Sequence, residues 1–487
     1  MNTTSISDHS DTASRLSKSQ CITVLVAAFL GWLFAGAHMG INSITYHSVA
    51  TSLLDDPAQV GEWIGFLVVA FLLGAAAGGY VFGWIGDRFG RSKAMAMSVA
   101  CYSIFSLISA GTTSIELFWI LRFITCMGIG GMWPNGMALL QEAWPNTAKP
   151  ILAGILGTAA NIGITLFSVV AMNKDVNPDD WQWAYLLGGS PLILAIISWI
   201  CVPESPKWLA EQQSGLNISA EKVGLGEVFT SPHRRLTMIG IVLAFVPLFG
   251  GWGVANWANY WAAEYDEVVA DLPAIIEDGA SEENTVDQTV DVENAETGES
   301  KQTATKTASN KKAETSFNRA WPGSISSLLG GALAIFLGRK FTYAALCIIA
   351  FTCTQFLYAL PHPNHDHFQL WVGCLGFFSG FFFGWLPLCL PEMFPTRVRA
   401  TGSGVSFNFG RIIVAILIIV TSFWLKEYFA TNDEITSIDD YNSSYVTVGR
   451  VCGFMYLAGI VAILMMPKSQ TEADIEATFD EAGQSSG

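Results

Sequence analysis

Gly83-Trp-Ile-Gly86-Asp87-Arg88-Phe-Gly90-Arg91-Ser-Lys93 is a charged, glycine-rich stretch set between two apolar runs, 61 to 84 and 94 to 113. Each run supplies the roughly twenty apolar residues that a helix needs to cross a bilayer core. The stretch therefore reads as a tight turn between two membrane spans. Gly83, Gly86 and Gly90 let two helix ends meet closely, and Asp87 is placed to sit at a neighbouring helix N-terminus, where the dipole favours an anion. Arg88 and Arg91 are placed to pair with carboxylates across a gate on one face of the membrane.

Ten further runs of similar length extend the pattern: 21 to 46, 117 to 140, 150 to 172, 183 to 202, 236 to 262, 319 to 338, 341 to 360, 369 to 391, 400 to 425 and 447 to 467. The composition agrees. Of 487 residues 51% are hydrophobic and 14% charged, where a soluble domain carries roughly 25% charged residues, and mean hydropathy is +0.40. Lys and Arg fix the orientation. Alternate loops hold Arg88, Arg91, Lys93, Lys149, Lys207, Lys222, Arg234, Arg235, Arg339, Lys340, Arg397 and Arg399, whereas the short loops between them hold only Lys174 and Lys426. Basic loops face the cytosol, so both termini are expected inside a multi-pass protein of the cell membrane.

The formal net charge of -16 lies almost wholly outside the spans. Residues 264 to 318 hold fourteen acids against four lysines, and Glu472 to Glu481 adds five acids with no base. No basic patch of the kind that nucleic acids need is present. The chain divides into a cytosolic N-terminal tail (1–20), an N-terminal six-helix half (21–202), a central cytosolic loop (203–235), a C-terminal six-helix half (236–467) and a cytosolic acidic tail (468–487). The second half is interrupted by an acidic outer loop, 264–318, whose composition cannot bury a core and predicts disorder. The nine cysteines are scattered with no C-x-x-C pair and act as small hydrophobes. His362, His365, Asp366 and His367 share one outer loop, read as solvated; no metal and no cofactor are expected.

Glu142-Ala-Trp-Pro145 after the fourth span is echoed by Glu392-Met-Phe-Pro395 after the tenth. Two six-span halves carrying one motif at one topological position suggest a pseudo-twofold carrier with its substrate near the midplane. The stretch from Gly83 to Lys93 resembles the signature loop of the major facilitator superfamily. Arg122-Phe-Ile-Thr-Cys-Met-Gly128-Ile-Gly130, Pro203-Glu204-Ser-Pro206-Lys207-Trp-Leu209 and Pro391-Glu392-Met-Phe-Pro395-Thr396-Arg397-Val-Arg399 resemble the motifs of its sugar porters and related metabolite symporters. Gly31-Trp32 and the run Gly128 to Trp133 look most like the sialic-acid and aromatic-acid branch. The resemblance implies an all-α membrane protein, twelve transmembrane helices in two pseudo-symmetric halves. It further implies a cytosolic gate built on Gly83, Asp87, Arg88, Gly90, Arg91, Glu142, Glu204, Glu392 and Arg399. The sequence departs from the family at two places. The second-half signature loop is reduced to Gly338-Arg339-Lys340, and His38 stands where proton-coupled relatives carry Asp, as Ala35 does where many acid transporters carry another.

No Asp or Glu lies well inside any run; Glu62, Glu116 and Glu142 lie at ends. The embedded ionisable residues are His38, Arg122 and Arg411, and such groups, costing about 2.5–3.5 kcal/mol on insertion scales, mark function by default. At about 1.5 Å per residue, His38 and Arg122 lie roughly 12 and 9 Å from the outer ends of their spans. Their matching depth suggests contact and a shared carboxylate ligand, with His38 taking up a proton. The alternative, left open, is a neutral His38 bonded to a backbone carbonyl or Asn. In span seven Phe249-Gly250-Gly251-Trp252-Gly253-Val-Ala-Asn256 combines glycines that allow bending with Trp252 and Asn256, which suit a hydroxylated ring; Trp133, Asn135, Asn161, Trp385 and Asn408 are further cavity candidates. The expected function is alternating-access transport of a small polar solute, a carboxylate or sugar acid, with or without a proton, by a monomer that is not an enzyme. A neutral-sugar uniporter and a non-transporting sensor stay open as alternatives.

Overall fold

The computed structural model describes residues 16–56, 59–145, 147, 149–213, 226–263, 265, 298–395, 398–431 and 438–466. Every regular element among them is helical. Twelve helices are long and apolar enough to cross a membrane. In chain order they are α1 (Lys18–Leu53), α2 (Val60–Phe89), α3 (Arg91–Ser109), α4 (Ile115–Ala143), α5 (Ile151–Asn173), α6 (Gln182–Cys201), α7 (Arg234–Ala263), α8 (Asn310–Leu337), α9 (Arg339–Leu357), α10 (Phe368–Cys389), α11 (Thr401–Trp424) and α12 (Asn442–Met465). The end of the bundle at which α1 begins is called here the basic end.

Small residues set the packing, as expected where lipid removes the hydrophobic drive between helices. A Cβ on Gly130 of α4 would lie 2.0 Å from the Ala75 carbonyl oxygen of α2, so only glycine lets these two backbones meet. The internal repeat is visible in the backbone. Between α2 and α3 the chain reverses at Gly90 with φ 107°, and between α8 and α9 at Gly338 with φ 87°, both in the left-handed region that favours glycine.

Two helices break where the sequence dictates. In α6 the helical stretches Gln182–Gly188 and Leu192–Cys201 are separated at Pro191, which has no N–H to offer. The Leu192 N–H then bonds Gly189, and the Gly188 carbonyl is left free to accept from a side chain. In α7 the glycines expected to allow bending form a π turn, Gly250–Val254, just after Pro247, a device that marks functional sites in many helices.

The acidic stretch read as a disordered loop needs correction at its C-terminal part. Helix runs continuously over Gly298–Leu337, well before the expected start at 319. Ala313, Thr315 and Ser316 are buried, and Ser316 Oγ accepts a hydrogen bond from Asn259 Nδ2 of α7 at 3.3 Å. A mean-hydropathy reading missed this turn because its buried residues are small and polar. The rest of the insert apart from Tyr265, the acidic C-terminal tail, most of the N-terminal tail and part of the central loop lie outside the described residues.

Candidate functional site

At the basic end of the first half, Glu204 sits over the start of α3. Its carboxylate accepts the backbone N–H of Arg91 at 2.8 Å, of Ser92 at 3.1 Å and of Ser205 at 2.9 Å, and the Ser92 hydroxyl at 2.7 Å. An anion there satisfies amides that a helix start leaves unpaired and opposes the helix dipole. Gly90 allows it: a Cβ would fall 2.1 Å from Glu204 Oε2. Asp87, expected in this role, is exposed, and its carbonyl accepts from Trp208 Nε1 at 3.0 Å. Arg91 Nε lies 3.2 Å from Glu142 Oε2, and the Ser205 hydroxyl also bonds Glu142. Arg88, expected on a carboxylate, instead lies over Trp84 and Phe89, 5.4 and 5.9 Å from the ring centroids. Gly83 faces open space.

The second half repeats the arrangement with fewer parts. Glu392 pairs with Arg339 at 2.5 Å, as Glu142 pairs with Arg91, while Arg399 Nε donates to the Phe394 carbonyl at 3.3 Å. Arg339, absent from the expected gate, is thus the second-half counterpart of Arg91; its place in the Gly338-Arg339-Lys340 remnant was the available signal. Beside Gly338 there is open space where Gly90 meets Glu204. Among the described residues no ion pair joins the gate of one half to that of the other.

The halves meet along two seams near mid-depth. Asn161 of α5 donates to Ser327 Oγ of α8 at 2.9 Å and to the Gly323 carbonyl at 3.3 Å. Arg411 of α11 donates to the Ala75 carbonyl of α2 at 3.1 Å, lies 3.4 Å from Asn408 Oδ1 and stacks on Phe407. At the end opposite the basic one the halves close. A Cβ on Gly65 of α2 would lie 2.5 Å from Ser422 Oγ of α11, and deeper, one turn from Ala75, Phe71 of α2 packs on Trp252 of α7 with ring centroids 4.2 Å apart. A narrow cleft between α1, α2 and α7, lined by Asn42, Tyr46, Trp252 and Asn256 among others, lies between these two contacts.

His38 and Arg122 sit behind that cleft, inside the first half. His38 Nε2 is 2.9 Å from the Gly188 carbonyl freed by the break in α6, and its ring meets Tyr102 edge-on at 5.0 Å. Gly188 must stay small, since a Cβ there would lie 2.8 Å from His38 Cε1. Arg122 is fully buried. Its guanidinium lies over Tyr185 at 4.9 Å and Phe118 at 5.9 Å, and no carboxylate pairs with it among the described residues. Tyr185 in turn bonds Thr45 of α1 at 2.5 Å. His38 and Arg122 are electrostatic neighbours, and Tyr46 adjoins both Arg122 and the cleft.

The remaining cavity candidates divide. Trp133 is half-buried against Trp32, with centroids 5.0 Å apart. Asn135 is buried and tied to the Phe82 and Gly131 carbonyls at 3.0 and 2.9 Å, which fixes α4 to α2. Trp385 is sealed against Tyr343 and donates to the Arg339 carbonyl at 3.0 Å. Arg319 of α8, which the late start assigned to that span had hidden, donates to the Gly251 carbonyl at 3.1 Å. Glycine signals in α7 and the register of α8 would have found it.

Two pseudo-symmetric six-helix halves, seamed at mid-depth and closed at one end over a narrow cleft, define a membrane carrier of the two-half type. The model of the Major Facilitator Superfamily matches residues 22–280, more than half of the chain, and the protein belongs to that family. It is 24% identical over 412 residues to a cis,cis-muconate transport protein of Acinetobacter baylyi, covering 83% of this chain and 87% of that one. It is 27% identical over 399 residues to a putative niacin/nicotinamide transporter of Bacillus subtilis, covering 80% and 85%. A sialic acid transporter of Escherichia coli is 24% identical over 389 residues, covering 79% and 83%. Among solved structures, the inward-open xylose transporter of Escherichia coli superposes with a TM-score of 0.63 at 17% identity, covering 94% of this chain and all of that one.

Proposed function

We propose that this protein carries a small organic carboxylate across the cell membrane by alternating access, with its basic end and both termini in the cytosol. The observation that carries the reading is the charge inside the helices. Arg122, Arg319 and Arg411 lie within membrane-spanning segments, and among the described residues none of them has a carboxylate partner. Cations in a low-dielectric setting call for an anion, and the solute is the anion available. The relatives named for muconate and sialic acid support the same class of cargo.

Asn42, Trp252 and Asn256 present amides and an indole face to the cleft, a combination that suits a planar or hydroxylated acid. Arg122 stands behind Tyr46 and attracts the anion through it. His38 keeps a proton on Nε2 for a backbone carbonyl, and its Nδ1 has no hydrogen-bond partner. Proton symport would use that nitrogen when the carboxylate arrives. The gates are paired within each half at the basic end.

Counterflow in proteoliposomes over cis,cis-muconate, 4-hydroxybenzoate, nicotinate, sialic acid and glucose tests the proposal. Exchange of at least one acid, unaffected by excess glucose, is expected. Glucose exchange that no acid competes with would establish the neutral-sugar alternative, and saturable binding without any counterflow would establish a sensor. Uptake by His38→Ala under an imposed pH gradient separates symport from uniport; wild-type gradient dependence in that variant would remove His38 from the proton path.

A further inference from the structure

The π turn of α7 and the guanidinium of Arg319 form one unit. In a π turn the N–H that would close an ordinary helical bond is shifted by a residue; here the Ala255 N–H reaches back to Gly250, bypassing Gly251. Arg319, from the facing turn of α8, donates Nη1 to the Gly251 carbonyl at 3.1 Å. Gly251 itself has open space where a side chain would stand, and Tyr260, which lines the cleft between the halves, is an electrostatic neighbour of Arg319. One and two turns further along the same face of α8, Gly323 and Ser327 meet Asn161 of the other half. Arg319 thus points from the second half toward the seam. Within the turn, Trp252 reaches the first half by packing on Phe71.

A full charge spent on a single neutral carbonyl is an arrangement that a stronger partner displaces. Hydrogen bonds from guanidinium to carboxylate are shorter and roughly twice as strong as those to neutral acceptors, and the planar fork can bind both oxygens. We propose that Arg319 is an anion-binding residue that exchanges the Gly251 carbonyl for the carboxylate of the transported solute, releasing the π turn and with it the Trp252–Phe71 contact between the halves. The inference rests on the carboxylate reading of the function and extends it by naming the residue through which the anion acts on the gate.

The test uses the purified full-length protein with nicotinate and its neutral amide, nicotinamide, and with 4-hydroxybenzoate and cis,cis-muconate as further acids. Binding is read by ligand-induced thermal stabilisation, and the turn by amide hydrogen exchange over residues 250–256. In the wild type an acid, and not the amide, is expected to bind and to speed exchange in that segment. Arg319→Gln keeps a donor for Gly251 but no charge; its acid Kd is expected to rise about 10- to 100-fold and its segment to stop responding. Arg319→Lys keeps the charge and is expected to stay within about tenfold of the wild type while still preferring the acid. A Gln variant that binds the acid as the wild type does would overturn the role of Arg319 and leave carboxylate transport standing. A folded Lys variant with no preference for the acid would overturn it too. A wild type that binds glucose and no acid would sink the carboxylate reading and this inference together.

Discussion

Removal of the Glu204 carboxylate is the perturbation whose magnitude the structure sets best. Three backbone N–H groups and one hydroxyl converge on it, and two of the three amides open α3. Glu204→Ala strands all of them. A buried donor without a partner costs roughly 1–3 kcal/mol, and because Glu204 is half-buried the lower figure applies, giving about 3 kcal/mol for the three amides. Glu204→Gln is far milder. Its amide oxygen can keep the position of Oε1, which takes the Arg91, Ser92 and Ser205 amides, and the Ser92 hydroxyl can turn to accept from the new NH2 group. What remains lost is the charge at the helix start, about 0.5–1 kcal/mol. Thermal unfolding in detergent, followed by the monodisperse fraction, should therefore rank wild type, Gln and Ala in that order, with the Ala loss at least three times the Gln loss. Amide exchange at Arg91 and Ser92 should rise sharply in the Ala variant and little in the Gln variant. If both variants melt alike and exchange at those two amides does not change, Glu204 is not the cap of α3 and the reasoning fails.

Gly90→Ala should destabilise more than Gly338→Ala, because both add strain at positive φ, about 1 kcal/mol, but only the first also drives a Cβ into Glu204; paired melting curves decide, and equal losses would argue against the contact. Arg122→Leu should melt no lower than the wild type, since a buried cation without a partner is replaced by a packed apolar group, while counterflow of every acid is lost; a clear drop in melting temperature with transport kept would reverse the assignment. A double-mutant cycle on Asn161→Ala and Ser327→Ala should show a coupling of about 0.5–1.5 kcal/mol, and a zero coupling would mean that the two halves are not bonded there.

Much of the fold was legible because membrane helices announce themselves by length and apolar content, and because Glu142 and Glu392 mark the same position in each half. The start of α8 was not, since Thr315 and Ser316 are buried against Asn259 without being hydrophobic. That error also concealed Arg319. The substitution of Glu204 for Asp87 at the start of α3 escaped sequence reasoning for a different reason: the two ends of the contact are separated by more than a hundred residues, and only the return of α6 brings them together. Asn135 and Asn161 illustrate the ambiguity of a lone amide. Identical in type, one bonds carbonyls within its half and the other bonds across the seam, and nothing in the flanking residues distinguishes them. The partner of His38 was not legible either: the carbonyl it meets is free only because Pro191 interrupts a helix 150 residues later.

The two seams, Asn161 with Ser327 and Arg411 with Ala75, fall near the middles of their helices and on helix pairs drawn from both halves. In the alternating access proposed above, a line through them would serve as the fulcrum. The 28-residue α8 spans about 42 Å, so each arm of the lever is about 20 Å long, and a rigid rotation of about 15°, of the size seen in other switching proteins, sweeps its tips by about 5 Å. The bonds on the axis scarcely change length while the tips travel the width of a helix turn. Opening one end and shutting the other then require no remaking of the middle, only the exchange of contacts at the tips.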